Sequence, residues 1–502
     1  MTDTFDPFAS SGSPVPLDAL EGADDWTPPS DDDAPSNVTS IASAKRARKR
    51  KARGGERTEL DLAELLVERF GGELRYCAPL GGWFAWTGTH WTLDTRERAR
   101  ECVKVIAREI AGEAAALLDD ELFKAAKRAG SAGGVDAILA LARSTPGIVF
   151  SPDEANADPW ALNVQNGTLD LRTGELRAHR REELITRVCP VAFDPEANAP
   201  TFGRFLAEVQ PDPDVRAYLA RLFGYAASGV VREHVLGVLW GPGANGKSVL
   251  ADAVSHVLGD YAKPGPSSLI VGGGGHAPHP TDVASCVGSR LVVLHETQRG
   301  ATFDASRVKL LTGGDRLTAR HMREDFFDFA PSHTLVMLSN YKPSADAADA
   351  ALWRRIHLVL FGVTIPEEKR DAELGEKLRA EGAGVLRWIV EGAREWQRVG
   401  LAPPASVREA TAAYRSSEDT IGQFLEERTV RLASARTAAG ALYASFKAWC
   451  EAEGAKPARG NDFAEEVVAR GFDRVTSGGR RFYVGIGLVA TDDDHDQRGG
   501  EW

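Results

Sequence analysis

The chain has 502 residues, of which 43% are hydrophobic and 26% charged, and its formal net charge is −12. This length allows roughly two to four domains, and the composition is ordinary for a globular protein. The acidic balance excludes attraction of the whole molecule to nucleic acid. Any contact with DNA must therefore come from local basic patches.

Membrane and secretory classes do not fit the sequence. No apolar run approaches the ~20 residues that a membrane span needs. The polar, acidic stretch Met1–Pro29 does not resemble a signal peptide. Five scattered cysteines without a C-x-x-C pair fit a reducing compartment and argue against a zinc site. We expect a cytoplasmic protein, and the Ala-, Arg- and Gly-rich composition favours a bacterial host.

Residues 1–56 are predicted to be a disordered tail. They are rich in Asp, Ser, Pro and Ala, with almost no aromatic residues. The tail ends in Lys45–Arg53, where seven of nine residues are basic. Two interpretations stay open: a solvated charged segment, or a sequence-independent contact with phosphates.

Residues 57–150 are predicted to form a small α+β domain. Leu60–Phe70 is predicted to be a helix, an aromatic hairpin follows, and 96–118 and 136–143 have helical spacing. The hairpin carries Trp83, Trp86 and Trp91. These rings favour a small core, with base stacking as the alternative.

Residues 151–229 are predicted to contain a hairpin, Asn163–Arg177, and helices at Phe202–Val209 and Val215–Ala227. We expect this part to act as a collar-like oligomerisation region. Residues 230–400 alternate between apolar strand-length runs and helical patterns. That alternation predicts a mostly parallel sheet with helices on both faces.

A phosphate-binding loop lies between the apolar run Val235–Trp240 and the helical pattern Val249–Leu258. Its glycines allow backbone N–H groups to surround phosphates beside a helix N-terminus. The pattern G-x-x-x-x-G-K-S predicts ATP and Mg²⁺ binding, with the lysine on the β- and γ-phosphates and the serine on the metal. The loop residues are Gly241, Pro242, Gly243, Ala244, Asn245, Gly246, Lys247 and Ser248.

Hydrolysis also needs an acid near the metal and a polar group near the γ-phosphate. Glu296 and Asn340 each follow a predicted buried strand, and the carboxyl ends of such strands meet at one sheet edge. Either residue alone also fits a solvated strand end or a turn. Arg354 and Arg355 follow next and suit a charge donated to a neighbouring subunit, or a surface salt bridge.

The C-terminal part begins after the Pro-containing boundary Leu401–Pro404. A helix at 407–429 is expected to pack back on the α/β core. Helices at 438–450 and 463–470, followed by a hairpin around Ser477–Gly479, predict a winged-helix-like domain within 401–490. Residues 491–502 are predicted to be a polar tail.

Taken together, these motifs resemble the superfamily 3 helicases, the AAA+ type carried by small DNA viruses, phages and plasmids. The sequence is most similar to the C-terminal helicase region of phage and plasmid primases. The resemblance covers about 150–400, and 60–150 and 430–490 more loosely. It implies an α/β fold with an AAA+ P-loop NTPase core, an α+β N-terminal domain and a winged-helix-like C-terminal domain. Besides the loop it rests on Leu291–Thr297, Leu311–Asp315, Ala319–Arg320, Phe329–Pro331, Leu338–Asn340 and Trp353–Arg355.

The resemblance also implies residue roles. Lys247 and Ser248 become ATP–Mg²⁺ ligands, Glu296 the catalytic acid at the metal, and Asn340 the sensor. Arg355 fits the arginine-finger position better than Arg354. His295 departs from the wider AAA+ group, many of whose members carry a second acid there.

The turn at 320–325 matches the hairpin that such helicases point into a central channel. Arg320, His321 and Arg323 are therefore expected to contact single-stranded DNA. Glu324 and Asp325 weaken the local positive charge, so a solvated hairpin is the alternative.

The function expected from the resemblance is an ATP-dependent DNA helicase that forms a homo-oligomeric ring, a hexamer, on single-stranded and forked DNA with 3′ to 5′ movement. The chain shows no paired-carboxylate and His set for priming, so a separate primase or origin-binding protein is expected as a partner. The alternative is an origin-binding initiator or nucleoprotein scaffold in which ATP controls assembly.

Overall fold

The computed structural model describes residues 57–272, 280–295, 300–320, 322 and 325–489. The basic run Lys45–Arg53 and the predicted tail 491–502 lie outside this part. A five-stranded parallel sheet lies at the centre, and the described residues add five small antiparallel sheets. Among the helices that the structure describes, none combines the length and apolarity needed to cross a bilayer.

The first described region contains three antiparallel strands and four helices around one core. The first helix begins with a capping box between Thr58 and Asp61. Trp91 is fully buried, and the half-buried Trp86 packs against it, so the core interpretation of the hairpin holds. The elements are α1 (Glu59–Phe70), β1 (Leu74–Cys77), β2 (Gly82–Trp86), β3 (Trp91–Leu93), α2 (Arg98–Leu117), α3 (Asp120–Ala129) and α4 (Ala132–Ala142).

A three-stranded sheet and two helices follow. The strands are β4 (Ala161–Val164), β5 (Gly167–Asp170) and β6 (Glu175–Arg177), and the helices are α5 (Pro200–Val209) and α6 (Pro213–Ser228). Both helices were expected, and each begins with proline, whose missing N–H is not needed in a first turn. Their apolar residues share one cluster with the central sheet. The core thus continues across position 229, which the sequence analysis used as a boundary.

The strands of the central sheet are β7 (Leu236–Trp240), β8 (Ala262–Gly265), β10 (Leu291–His295), β14 (Thr334–Ser339) and β15 (Ile356–Leu360). Their order across the sheet is β15–β7–β14–β10–β8, and all adjacent strands are parallel. This confirms the predicted parallel sheet. The elements between and after them are α7 (Lys247–Leu258), β9 (Val271–Gly272), α8 (Pro280–Ala284), β11 (Thr302–Phe303), α9 (Ala305–Leu311), β12 (Leu317–Ala319), β13 (Phe327–Phe329), α10 (Ala350–Trp353), α11 (Leu374–Ala380) and α12 (Gly382–Val399).

Both faces of this sheet are covered, which explains why its strands are nearly continuous apolar runs. Side chains alternate between two clusters because successive residues of a strand point to opposite faces. Val293 and Val336 face the cluster of α6, α7 and α12. Val292 and Met337 face the cluster of α9, α10 and the helix after residue 404.

Arg290 joins the preceding region to the sheet. Its side chain is 3% exposed, and it donates hydrogen bonds to the carbonyl oxygens of Ala227 (2.6 Å) and Ala161 (2.7 Å). The guanidinium also lies 4.5 Å from the ring centroid of Tyr261. One buried cation thus holds β4, the end of α6 and the start of β10 together.

The helix expected at 407–429 is two helices, α13 (Ala405–Glu418) and α14 (Thr420–Arg428). Asp419 separates them, and its carboxylate caps α14 by accepting a hydrogen bond from the Gly422 N–H. Helix α13 packs back on the core, as expected: the Leu358 N–H of the edge strand β15 donates to Thr411 Oγ1 at 3.0 Å.

The C-terminal module continues with β16 (Thr429–Ala438), α15 (Ala439–Ala452), α16 (Gly460–Ala469), β17 (Arg474–Ser477) and β18 (Arg480–Leu488). Its antiparallel sheet has the order β16–β18–β17. The two helices and the hairpin were predicted, whereas β16 was missed. Most of β16 is exposed, so its sequence lacks the apolar alternation by which a strand is recognised.

Candidate nucleotide-binding site

The phosphate loop lies at the carboxyl end of β7 and leads into α7, as the motif predicts. Gly246 has φ = 82°, and a Cβ there would lie 2.5 Å from Val209 Cγ1. A Cβ on Gly241 would lie 2.1 Å from the carbonyl oxygen of Phe361. Both positions thus require glycine, the first because of conformation and space, the second because of space alone.

The loop is fixed to the segment that follows β15. Asn245 is 2% exposed and donates from Nδ2 to the Phe361 oxygen at 2.9 Å. The Ile365 N–H donates to the Ala244 oxygen at 2.9 Å. Pro242, Gly243 and Ala244 remain exposed. The loop is therefore held from behind while its outer side faces solvent.

Lys247 and Asn340, which the sequence placed in one site, are in contact. Lys247 is 5% exposed, and its Nζ donates to Asn340 Oδ1 at 3.1 Å. The same ammonium donates to the Gly241 oxygen (2.7 Å) and to Asn245 Oδ1 (2.9 Å). The ammonium thus lies across the loop, next to the strand end that carries the predicted sensor.

Glu296, the predicted catalytic acid, lies outside the described residues. Strand β10 ends at the exposed His295 and pairs with β14, which lies between β10 and β7. The carboxyl end of β10, at His295, is therefore on the same sheet edge as the end of β14, one strand further from the loop. Its role stays a prediction.

The residues around the loop fit a nucleoside triphosphate with Mg²⁺. The N-terminus of α7 presents backbone N–H groups and a favourable dipole to an anion. Lys247 supplies a cation, and the Ser248 hydroxyl is exposed on the first turn of the helix. Mg²⁺ prefers oxygen ligands and takes several from phosphates and water, so one hydroxyl and one carboxylate suffice from the protein.

A cavity of about 540 Å³ adjoins the loop. Phe205, Val249, Ile365 and Leu374 give it apolar walls. Its polar and charged lining residues are Thr201, Arg204, Glu208, Lys369, Arg370 and Asp371. The sequence does not predict this cavity because its walls come from α5, from the loop with the start of α7, and from the 365–375 segment. The helical spacing of Phe205 and Val209 indicated an apolar face on α5 but not what that face meets.

The two candidate arginines differ in exposure. Arg355 is 7% exposed, and it donates to Thr312 Oγ1 at 3.1 Å and to the Ala351 oxygen at 2.7 Å. Arg354 is exposed. A side chain held as Arg355 is cannot reach a neighbouring subunit without losing both hydrogen bonds. Which of the two arginines acts on a neighbouring subunit stays a prediction, and the exposure of its side chain favours Arg354.

Strands β12 and β13 form the predicted antiparallel hairpin. Arg320 is half-buried, with its guanidinium 4.9 Å from the ring centroid of Phe326. Phe326 and Met322 are 59% and 70% exposed, an apolar pair at the hairpin end that the sequence analysis overlooked. His321 and Arg323, the other two predicted DNA contacts, lie outside the described residues.

Two family models match the chain on either side of this site. The model described as D5 N terminal like matches residues 63–211, and the one described as Poxvirus D5 protein-like matches 416–469. Two regions of the chain therefore resemble D5-type proteins, and the resemblance to viral helicases and primases is confirmed.

Particular relatives come from large DNA viruses. "Putative helicase L207/L206" of Acanthamoeba polyphaga mimivirus is 25% identical over 61% of this chain and 34% of its own length. "Putative helicase 022R" of Frog virus 3 is 24% identical over 60% and 39%. "Putative primase C962R" of African swine fever virus (strain Badajoz 1971 Vero-adapted) is 27% identical over 56% and 32%. The chain thus spans about a third of the length of these relatives.

Among solved structures, the C-terminal region of NrS-1 in its A form aligns over 59% of this chain and 78% of that chain, with 10% identity and a TM-score of 0.36.

Proposed function

We propose that this chain is an ATP-dependent DNA helicase of the ring-forming superfamily 3 type, with an AAA+ core and a winged-helix-like C-terminal module. The contact between Lys247 and Asn340 carries the proposal. It joins the phosphate-loop lysine to a polar group on the neighbouring strand, where a γ-phosphate would lie. The D5-type regions and the viral relatives support the same class.

The nucleotide would span three parts of the site. The loop and Lys247 would hold the phosphates, Ser248 and Glu296 would hold Mg²⁺, and the apolar cavity beside α5 would accept the base. Arg354 of an adjacent copy would supply the remaining positive charge. This arrangement requires a homo-oligomer, and we propose a hexameric ring.

The DNA part of the proposal rests on the β12–β13 hairpin. Arg320 and the exposed Phe326 pair a cation with a ring, which suits a single strand's phosphates and bases. We place the activity in replication of viral or mobile-element DNA, with a separate primase or origin-binding protein as partner. The assignment to a bacterial cytoplasm rests on composition alone.

The decisive experiment removes the lysine. We expect Lys247→Ala to lower ATP turnover by roughly 100-fold or more, because the phosphates lose their main cation. Asn340→Ala should lower turnover while nucleotide binding persists. Lys124→Ala is the matched control, since that lysine is surface-exposed on α3 and paired with Glu121. Wild-type turnover by the Lys247 variant would contradict the proposal.

Strand displacement separates the helicase from the alternative scaffold. A labelled strand on a forked substrate should be released in an ATP-dependent way by the wild type and not by Lys247→Ala. A scaffold would form the same nucleoprotein complex and release nothing. Primer synthesis in the same reaction would contradict the prediction that this chain does not prime.

A further inference from the structure

Charge is segregated within the C-terminal module. Strands β16, β17 and β18 contain no acidic residue and five arginines: Arg431, Arg436, Arg474, Arg480 and Arg481. Helix α16 is the opposite, with Asp462, Glu465 and Glu466 and no basic residue. The sheet thus offers positive charge to an anionic partner, whereas the helix repels one.

The sheet has an inner and an outer face. Tyr483, which is 1% exposed, and Ile486 point into the module's core. Phe482 therefore points outward from the central strand, and its neighbours across the sheet are Ala438 on β16 and Val475 on β17. Neither neighbour carries a polar side chain, and the ring between them is half-buried. We call this surface the Phe482 face.

Two arginines flank the ring. The Arg436 guanidinium lies 5.7 Å from the Phe482 ring centroid, and Arg436 is exposed. Arg480 is exposed and lies two residues before Phe482, so both side chains are on the same face of the sheet. In the described part of the chain, none of the five sheet arginines forms an ion pair. Arg436 and Arg480 are both exposed, so their charge faces solvent.

We propose that the Phe482 face binds single-stranded DNA, with a base stacked on Phe482 and adjacent phosphates on Arg436 and Arg480. Aromatic rings between cations on an open sheet suit unpaired bases, which expose their faces. A duplex hides its base faces and is read by a helix in the major groove, but α16 would bring three carboxylates to the phosphates. The inference rests on the proposed action on DNA and names a second contact for the same strand.

The test measures equilibrium binding of the full chain, without nucleotide, to a fluorescent oligo-deoxythymidine of about 20 nucleotides. A hairpin duplex of the same label and salt concentration is the comparison. We expect Phe482→Ala to weaken single-strand binding about tenfold and Phe482→Trp to retain it, because stacking needs a ring. Arg480→Glu with Arg436→Glu should weaken binding further and reduce its salt dependence.

The matched control is Lys456→Glu with Arg459→Glu. It makes the same charge change in the same module, at two exposed positions before α16. We expect it to change single-strand affinity by less than about twofold. An equal loss in this control, or wild-type affinity in Phe482→Ala, overturns the inference, as does tighter binding of the duplex by the wild type.

Failure of the inference and failure of the proposed function are distinguishable. ATP-dependent strand displacement by the wild type, together with unchanged affinity in Phe482→Ala, overturns the Phe482 face alone. A wild type that neither binds nor displaces a strand overturns both. Thermal unfolding of each variant shows that the module is folded, and Phe482→Leu, which keeps an apolar side chain, should behave as Phe482→Ala does in binding.

Discussion

The parallel-sheet core and the C-terminal sheet use cations in opposite ways. In the core, Lys247, Arg290 and Arg355 are at most 7% exposed, and each donates to oxygens of its own chain. In the C-terminal sheet, Arg436 and Arg480 are exposed. A buried cation must have hydrogen-bond partners, because its desolvation is otherwise uncompensated.

Structural cations and ligand-binding cations differ in what surrounds them. Arg290 and Arg355 bond to neutral oxygens that need donors, so they serve the fold. Lys247 differs because it lies in a loop whose outer side is open and whose backbone can accept an anion. Motif position favours Arg355 over Arg354 for the ligand-binding role, whereas burial favours Arg354.

Arg354 and Arg355 should respond differently to substitution, and the loss of Arg354 should have the largest effect on ATP turnover. We expect Arg354→Ala to lower ATP turnover about 1,000-fold, since a cation supplied to a neighbour's γ-phosphate is lost. Arg355→Ala should mainly lower the free energy of unfolding, by about 2 kcal/mol, because two hydrogen bonds disappear. Turnover and urea denaturation measure the two effects.

Mixed oligomers test the same assignment. Lys247→Ala subunits keep Arg354, whereas Arg354→Ala subunits keep an intact loop, so mixing them should restore part of the turnover. No recovery on mixing, with wild-type turnover in Arg354→Ala alone, would show that this arginine does not act on a neighbour.

A second prediction concerns Arg290. Replacement by Met keeps most of the volume but leaves the Ala227 and Ala161 oxygens without this donor. We expect a loss of about 3 kcal/mol in the free energy of unfolding. The control is Arg480→Met on the exposed sheet, and equal urea midpoints for the two variants would contradict the comparison.

A third prediction is acid sensitivity of the core. Burial lowers the pKa of His333 and of His357 to about 4. Each is neutral when folded, while the unfolded chain takes up a proton below its ordinary pKa of 6.5. Stability is thus complete above about pH 6.5 and falls as the pH drops toward 4. Between about pH 6.5 and 5, each histidine should lower the free energy of unfolding by about 2 kcal/mol.

Chemical denaturation at the two pH values measures this loss. His357→Gln removes one titrating group, so the variant's stability should fall less between the two pH values than that of the wild type. In the wild type, a hydrogen bond joins Nδ1 of His357 to the Tyr218 hydroxyl at 2.7 Å. The variant loses this bond and is therefore less stable at neutral pH. An equal loss of stability between the two pH values in the wild type and in His357→Gln would show that His357 does not contribute to the acid sensitivity.

The smallest effect is expected on the C-terminal sheet. Arg480→Ala should change the free energy of unfolding by no more than about 0.5 kcal/mol, because the side chain is exposed and has no acidic partner among the described residues. Its single-strand affinity should nevertheless fall. A destabilisation as large as that of Arg290→Met would show that this arginine also serves the fold.

Much of the nucleotide site was predictable because its signals are local. The strand–loop–helix pattern fixed 235–258, and the apolar runs before His295 and Asn340 predicted parallel strands. Strand β16 was not predictable, since it is exposed and carries no alternation. The cavity beside α5 was missed for a different reason, because it exists only where three separate segments meet.

The sequence by itself determined the phosphate loop, the parallel sheet and the order of the motifs, because these depend on residue type and spacing along a short stretch. Which of two adjacent arginines is exposed, which strand lies between β7 and β10, and which face of the C-terminal sheet carries positive charge depend on the tertiary structure. Burial and strand order arise from contacts between distant segments, and one-dimensional spacing does not encode them.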